Sequence, residues 1–208
     1  MNLEDYILSH IDDEPEYLAK VNRKTHLKMI NPRMLSGHLQ GRVLSMFSKM
    51  IMPERILEIG TYTGYSALCL AEGLSANGKL YTIECNDELE DFIKDNIDNS
   101  PYSEKIQLII GDAKKQLTEI EEVWDLIFMD ADKREYKCYY DTVFPKLKSG
   151  GFMLIDNTLW DGKVLKENDD KDNQTEAVKQ FNDYLSSDDR IEKIILPIRD
   201  GLTIIRKK

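Results

Sequence analysis

The sequence predicts an α/β fold: a doubly wound, mostly parallel sheet that ends in an antiparallel hairpin. Three observations carry this reading. From residue 55 onward, short apolar runs alternate with longer amphipathic stretches, and such alternation builds a parallel sheet with helices on both faces. Glycines and acids recur at the exits of those runs, where sheets of this type hold their ligands. The last two runs, 191–196 and 202–205, are joined through Ile198-Arg199-Asp200-Gly201, and Asp-Gly between apolar runs is a hairpin signal.

The elements follow in order. Residues 1–30 read as helical and polar, with Tyr6, Ile7 and Ile11 on one face and Tyr17, Leu18 and Val21 after Pro15. Asn31-Pro32 breaks that stretch. A helix is expected over 36–50, where Leu39, Val43, Leu44 and Phe47 recur at helical spacing, and Pro53 ends it. Strands are expected at 55–59, 79–84, 105–110, 125–129 and 151–155, before the closing pair. Helices are expected at 64–75, 87–96, 135–147 and 175–185. Tyr136, Tyr139 and Tyr140 read as packing residues, and Cys85 as a small buried one.

The chain has 208 residues, with 28 Lys plus Arg against 38 Asp plus Glu, a formal charge of −10. With 41% apolar and 32% charged residues it is globular in composition. It is long enough to bury a core without disulfides. The acidic balance argues against broad docking on a phosphate backbone, while leaving room for a local basic strip at Lys20, Arg23, Lys24 and Lys28. Cys69, Cys85 and Cys138 form an odd set without CxxC spacing, which argues for a reducing, cytoplasmic setting and against structural zinc. No apolar run approaches the ~20 residues of a membrane span, and the acidic N-terminus lacks a leader pattern, so no membrane partner is expected.

The strand exits carry the chemistry. The first reads Glu58-Ile59-Gly60-Thr61-Tyr62-Thr63-Gly64-Tyr65-Ser66. Its GxxxG differs from the dinucleotide GxGxxG, and the preceding acid suits a cationic ligand better than a pyrophosphate. Glu84, 24 residues beyond Gly60, is placed to accept ribose hydroxyls. Asp112-Ala113 would lie beside a nucleobase. Asp130-Ala131-Asp132-Lys133 and Asp156-Asn157 leave two strands that, if adjacent, are about 4.8 Å apart. Asp130, Asp156 and Asn157 can then converge as a hard-oxygen site for Mg²⁺, Mn²⁺ or Ca²⁺. The plainer alternative makes these acids helix N-caps and the glycines an ordinary turn.

Together these motifs resemble the cation-dependent S-adenosylmethionine O-methyltransferases of the catechol and caffeoyl-CoA type, from about Met34 to Asp200-Gly201-Leu202-Thr203. Ala131-Asp132, where the mammalian catechol enzymes carry His-Trp, places it with the caffeoyl-CoA and bacterial branch. The resemblance implies a class I methyltransferase fold with 1–208 as one domain and 1–35 as a helical cap over the site. It implies that Met34, Ser36, Glu58, Gly60, Thr61, Tyr62, Gly64, Ser66, Glu84, Asp112, Ala113, Asp130 and Asp132 serve the cofactor. It implies Asp130, Asp156 and Asn157 as ligands of a divalent cation, Mg²⁺ first, and Lys133 as catalytic base with Asp130 beside it. The substrate, a vicinal phenolic diol, would meet Lys133, Asn157 and Trp160. The family's carboxylate for the second hydroxyl falls on Pro197 here. A homodimer is the assembly the resemblance implies. Residues 161–173 read as a polar lid, and Arg199 as facing the substrate mouth or a partner subunit. Two other functions stand beside this one: methylation of a 5-hydroxyuridine at the tRNA wobble position, and cofactor binding without catalysis.

Overall fold

The computed structural model describes residues 3–166 and 172–208. Among the described residues the apolar runs form seven strands: β1 (Arg55–Ile59), β2 (Lys79–Glu84), β3 (Ile106–Ile110), β4 (Trp124–Met129), β5 (Leu147–Ile155), β6 (Ile191–Leu196) and β7 (Leu202–Lys207). They lie in one sheet in the order β3-β2-β1-β4-β5-β7-β6. β1 pairs in parallel with both β2 and β4, so the chain winds outward in one direction, returns to the middle and winds the other way. That reversal opens a crevice at the carboxyl ends of β1 and β4, where open α/β sheets bind ligands. β7 runs antiparallel to β5 and β6, as the Asp-Gly signal predicts.

Alternate residues of the central strands feed opposite sides of the sheet, because strand side chains repeat every two residues. Leu57, Ile59, Ile127 and Met129 pack with Leu117 of α6 (Ala113–Glu119), Tyr136 and Tyr140 of α7 (Tyr136–Val143) and Phe181 of α8 (Asn173–Ser186). Ile56, Leu126 and Phe128 pack with Leu18 of α2 (Glu16–Lys28), Leu44 of α3 (Gly37–Ile51), Leu68 of α4 (Tyr65–Ala71) and Ile93 of α5 (Glu90–Asp98). Each such side chain, fully buried, contributes roughly 1.5–3 kcal/mol. Among the described residues no helix is long and apolar enough to cross a membrane.

Several elements differ from expectation for physical reasons. The N-terminal stretch divides into α1 (Leu3–Leu8) and α2, with Pro15 at the α2 N-cap. α3 buries Gln40, Gly41, Leu44, Ser45 and Ser48, while Leu39, Val43 and Phe47 of the expected stripe are only partly covered. Glu72, at the end of α4, accounts for that rotation: its carboxylate accepts from Arg42, Ser45 and Lys49 of α3. α6 has no counterpart among the expected helices, since only Ala113 and Leu117 of its seven residues are buried. α7 gives way to a 3₁₀ turn, Phe144–Lys146, at Pro145, which lacks the N–H a helix needs. Cys85 is exposed, against expectation, as is Cys138; Cys69 is buried, and all three are free thiols.

Candidate active site

The backbone ladder itself brings the strand exits together. Gly60 N donates to Ile83 O (3.0 Å), Asp130 N to Ile59 O (2.9 Å) and Asp156 N to Met129 O (3.0 Å), one residue beyond each strand. The exits of β2, β1, β4 and β5 therefore stand side by side and open on a cavity of about 1200 Å³. Met34, Ser36, Gly60, Thr61, Tyr62, Ser66, Glu84, Asp112, Ala113, Asp130, Asp132, Lys133, Asp156, Asn157 and Trp160 all line it.

Two expected residues do not reach the cavity wall. Gly64 (φ +86) is the N-cap of α4 and faces Ile93 and Ile97 instead. Glu58 is fully buried below the glycine loop. Its Oε2 accepts from the Thr82 hydroxyl (2.5 Å), which also bonds Thr61 Oγ1, and the Ser66 hydroxyl faces the same carboxyl. Burial, aided by the charges of Asp130 and Glu84, pushes this carboxyl up to about 8, so it carries a proton at neutral pH. Gly60 is required where it stands: φ is +97, and a Cβ there would collide with the Asp130 carbonyl.

On the β2 and β3 side the acids are met by nearby backbone. Glu84 accepts from Tyr62 N (2.7 Å) and Asn86 N (2.9 Å), tying its carboxylate to the glycine loop. Asp112 caps α6 through Lys115 N (3.2 Å). Beyond β4, Asp132 likewise caps the 3₁₀ turn Lys133–Glu135 through Arg134 N (3.1 Å) and pairs with the Arg134 guanidinium. The N-cap alternative is thus fulfilled for Asp112 and Asp132, although both also face the cavity.

On the β4 and β5 side the acids meet side chains. Lys133 is 9% exposed, and its Nζ donates to Asp130 Oδ1 (2.7 Å) and Ala131 O (2.9 Å). Asp156 is 4% exposed; burial and the Asp130 charge raise its carboxyl to about 6. Oδ1 of Asp156 accepts from Asn157 N (2.8 Å) and Oδ2 from Gln40 Nε2 (2.7 Å). Trp160 stands between Lys133 and Lys163, with Nζ atoms 5.9 and 5.7 Å from its ring centroid. Its buried Nε1 has no hydrogen-bond partner.

The closing hairpin supports this half. Thr158 N donates to Gly201 O (3.1 Å), and Leu159 N (2.7 Å) and Trp160 N (3.1 Å) both donate to Asp200 O. Asn157 Nδ2 donates to Asp200 Oδ2 at 3.5 Å. The hairpin loop thus brings Asp200, not Pro197, to the cavity. Gln40 and Asp200 are not among the residues the sequence marks for the site. Gln40 is separated by 116 residues from its Asp156 contact, and no local pattern marks it. Of the expected lid, residues 167–171 lie outside the described residues; Lys163–Leu165 is a 3₁₀ turn and Asp172 caps α8. Among the described residues no group of three or more His, Cys, Asp or Glu is arranged to hold a metal; the expected set has two carboxylates and one amide.

The N-terminal segment borders the cavity through Lys28, Met29, Ile30, Asn31, Arg33 and Met34. Thr25 Oγ1 of α2 donates to Thr63 Oγ1 (3.1 Å), and Tyr62 OH donates to Asn31 O (3.0 Å). Ser36 is buried, whereas Met34 is 58% exposed.

Comparison with known proteins bears on this geometry. The SAH-bound methyltransferase PaMTH1 of Podospora anserina superposes with a TM-score of 0.91 at 29% identity, covering 99% of this chain and 94% of that one. The Bacillus cereus O-methyltransferase in complex with SAH gives 0.92 at 25% identity, covering 99% and 97%. The fold is that of these methyltransferases. Residues 8–208 match the family model described as O-methyltransferase, and the chain belongs to that family. Its relatives include the caffeoyl-CoA O-methyltransferase of Stellaria longipes, 32% identical over 99% of this chain and 90% of its own length. Caffeoyl-CoA O-methyltransferase 1 of Arabidopsis thaliana is 33% identical over 99% and 84%. Membership in this enzyme family leaves the non-catalytic alternative without support.

Proposed function

We propose that the protein transfers the methyl of S-adenosylmethionine to one oxygen of a vicinal phenolic diol, with a divalent cation held by Asp130, Asp156 and Asn157. The carrying observation is the β1–β4–β5 ladder, which sets Asp130 and Asp156 side by side with Lys133 Nζ on Asp130. The residues fit a hard cation: two carboxylates and an amide supply oxygen donors, and Asp156, raised to about 6 by burial and a like charge, gains from a positive neighbour. When bound, such a cation polarises a phenolic oxygen and lowers the cost of its ionisation.

The protein's own groups do the rest. Glu84 takes the ribose hydroxyls of the methyl donor, the Gly60 loop lines its methionine part, and Asp112 and Ala113 border its base. Met34 and Ser36 cover its amino-acid end within the 1–35 cap. Lys133 Nζ stands beside Asp130 and, as the free amine, would take the phenolic proton. The ionised oxygen attacks the methyl carbon in line, the carbon–sulfur bond breaks, and the sulfur leaves as a neutral thioether. Trp160 walls the planar ring, and Asn157 faces the diol.

Methyl-transfer assays with a panel of catechols and with unmodified tRNA, each with Mg²⁺ and with EDTA, test this reading. Turnover of catechols that EDTA abolishes supports it. Methylation confined to tRNA overturns the small-molecule substrate, and EDTA-resistant turnover overturns the cation. A homodimer is the expected assembly. Phe47, Met50, Met52, Phe152 and Ile204 border a second cavity of about 730 Å³ on another part of the surface, and light scattering tests the dimer directly.

A further inference from the structure

Arg199 projects from the loop between β6 and β7, and its partners lie in a distant part of the chain. Nη1 donates to Leu35 O (2.8 Å), to Ser36 O and to Gln40 Oε1 (3.2 Å); Nη2 donates to Arg33 O (3.2 Å). One guanidinium thus gathers three backbone carbonyls of the segment that lies over the cavity, together with the side chain of the first turn of α3. A guanidinium spreads several donors over a rigid fork, which suits this task better than a single ammonium.

Gln40 continues the chain of contacts inward. It is 1% exposed. Its Oε1 accepts from Arg199, and its Nε2 donates to Asp156 Oδ2 at 2.7 Å. The orientation of this amide is forced. Flipped, its nitrogen would face the guanidinium as donor against donor, and its oxygen would face a carboxylate as acceptor against acceptor. Asp156 Oδ1 is held by Asn157 N (2.8 Å), so both oxygens of this carboxylate are aimed by a fixed donor.

We propose that Arg199 and Gln40 are positioning residues that join the Arg33–Ser36 segment to the Asp156 carboxylate, making closure of the cap and aiming of that carboxylate a single event. The part concerning the cap stands on the contacts alone. The part concerning Asp156 rests on the cation site proposed above.

The test uses the full chain with S-adenosylhomocysteine (SAH) and Mn²⁺ as probes. Binding of SAH by calorimetry and the rate of trypsin cleavage after Arg33 report the cap; Mn²⁺ binding by electron paramagnetic resonance reports the carboxylate. Arg199→Ala is expected to weaken SAH binding about tenfold, the scale of losing charge-assisted hydrogen bonds. It should also speed cleavage after Arg33 and remove the protection SAH gives. Arg199→Lys, which keeps the charge and loses the fork, should recover only part of either effect. Gln40→Glu keeps an acceptor for Arg199 but removes the donor to Asp156, so trypsin protection should persist while Mn²⁺ binding changes. Gln40→Met, which removes both contacts, should alter Mn²⁺ binding and weaken the trypsin protection only in part, because Arg199 keeps its three backbone carbonyls.

Circular dichroism identifies folded variants. Folded Arg199→Ala with SAH binding and cleavage within about twofold of wild type overturns the cap contact. Gln40→Met with unaltered Mn²⁺ binding overturns the link to Asp156. Wild-type protein that binds SAH but no Mn²⁺ defeats the cation reading and with it the Asp156 part, while the cap part is still decided by SAH and trypsin.

Discussion

The two halves of the cavity are built differently. Where β2 and β3 end, the carboxylates are answered by backbone N–H groups close in sequence: Glu84 by Asn86, and Asp112 by Lys115. Where β4 and β5 end, side chains join in: Asp130 meets Lys133, and Asp156 meets Gln40 as well as the Asn157 N–H. The first half is a preformed cradle whose charges are already balanced by fixed dipoles. The second half sets Asp130 and Asp156 against Lys133, and its balance changes when a positive group enters. On the function proposed above, the first half binds the methyl donor and the second carries the proton transfer.

The largest effect expected from that difference lies at Lys133. Lys133→Ala should lower kcat on a catechol by about two to four orders of magnitude, the range for loss of a general base. SAH affinity should change little, because the nearest partners of Lys133 Nζ are Asp130 and Ala131 O. Steady-state kinetics and calorimetry on the same preparation check both statements. A fall in SAH affinity as large as the fall in kcat would erase the distinction between the halves.

Next comes Asp156→Asn. Removing one of two ligand charges should weaken Mn²⁺ binding by about a hundredfold. SAH binding should again stay near wild type, and titration of the Mn²⁺ resonance signal reads the loss. Equal weakening of both ligands would mean that the cavity responds as one unit.

A smaller effect belongs to Glu58, under the cradle. Its folded value of about 8 lies above the ordinary 4.5. A raised carboxyl stabilises the fold below its unfolded value, and that contribution is lost as pH rises through its folded value. The ligand-free protein should therefore lose stability, on the order of a few kcal/mol, between pH 4.5 and pH 8 through this group. Glu58→Gln, neutral throughout, should flatten that slope. Thermal denaturation of both proteins across the range measures the difference; parallel profiles would place the charge balance of the cradle elsewhere.

The contrast between the halves also explains what the sequence reveals. The sheet and its switch point are legible because apolar runs such as Leu126-Ile127-Phe128-Met129 are buried on both faces. The acids at the exits are legible because the ladder carries each strand's last residue to a fixed height. Glu58 is read correctly as an acid before the glycine loop, but its place beneath the cavity depends on Thr61 and Thr82. Gln40 is hidden because its neighbours in sequence describe a packing helix, and only the fold brings Asp156 and Arg199 to its two ends. α3 presents a different stripe from the expected one because Glu72 holds its polar residues. Pairwise contacts over long sequence separations leave no periodic trace.

The smallest effect separates two roles of one residue. Asp112 both faces the cavity and accepts from Lys115 N at 3.2 Å as the cap of α6. Asp112→Ala removes the cap, at a cost of about 1 kcal/mol. For a chain of this length that should lower Tm by about 2–4 °C. Asp112→Asn keeps a capping oxygen, since Asn and Asp cap about equally well, so its Tm should stay near wild type while the charge facing the cavity is lost. Calorimetry with SAH then decides the matter. If Asn lowers affinity without moving Tm, the acid serves the nucleoside end of the ligand as well as the helix. If only Ala has an effect, and only on Tm, Asp112 is a cap alone and the acids of the cradle end at Glu84.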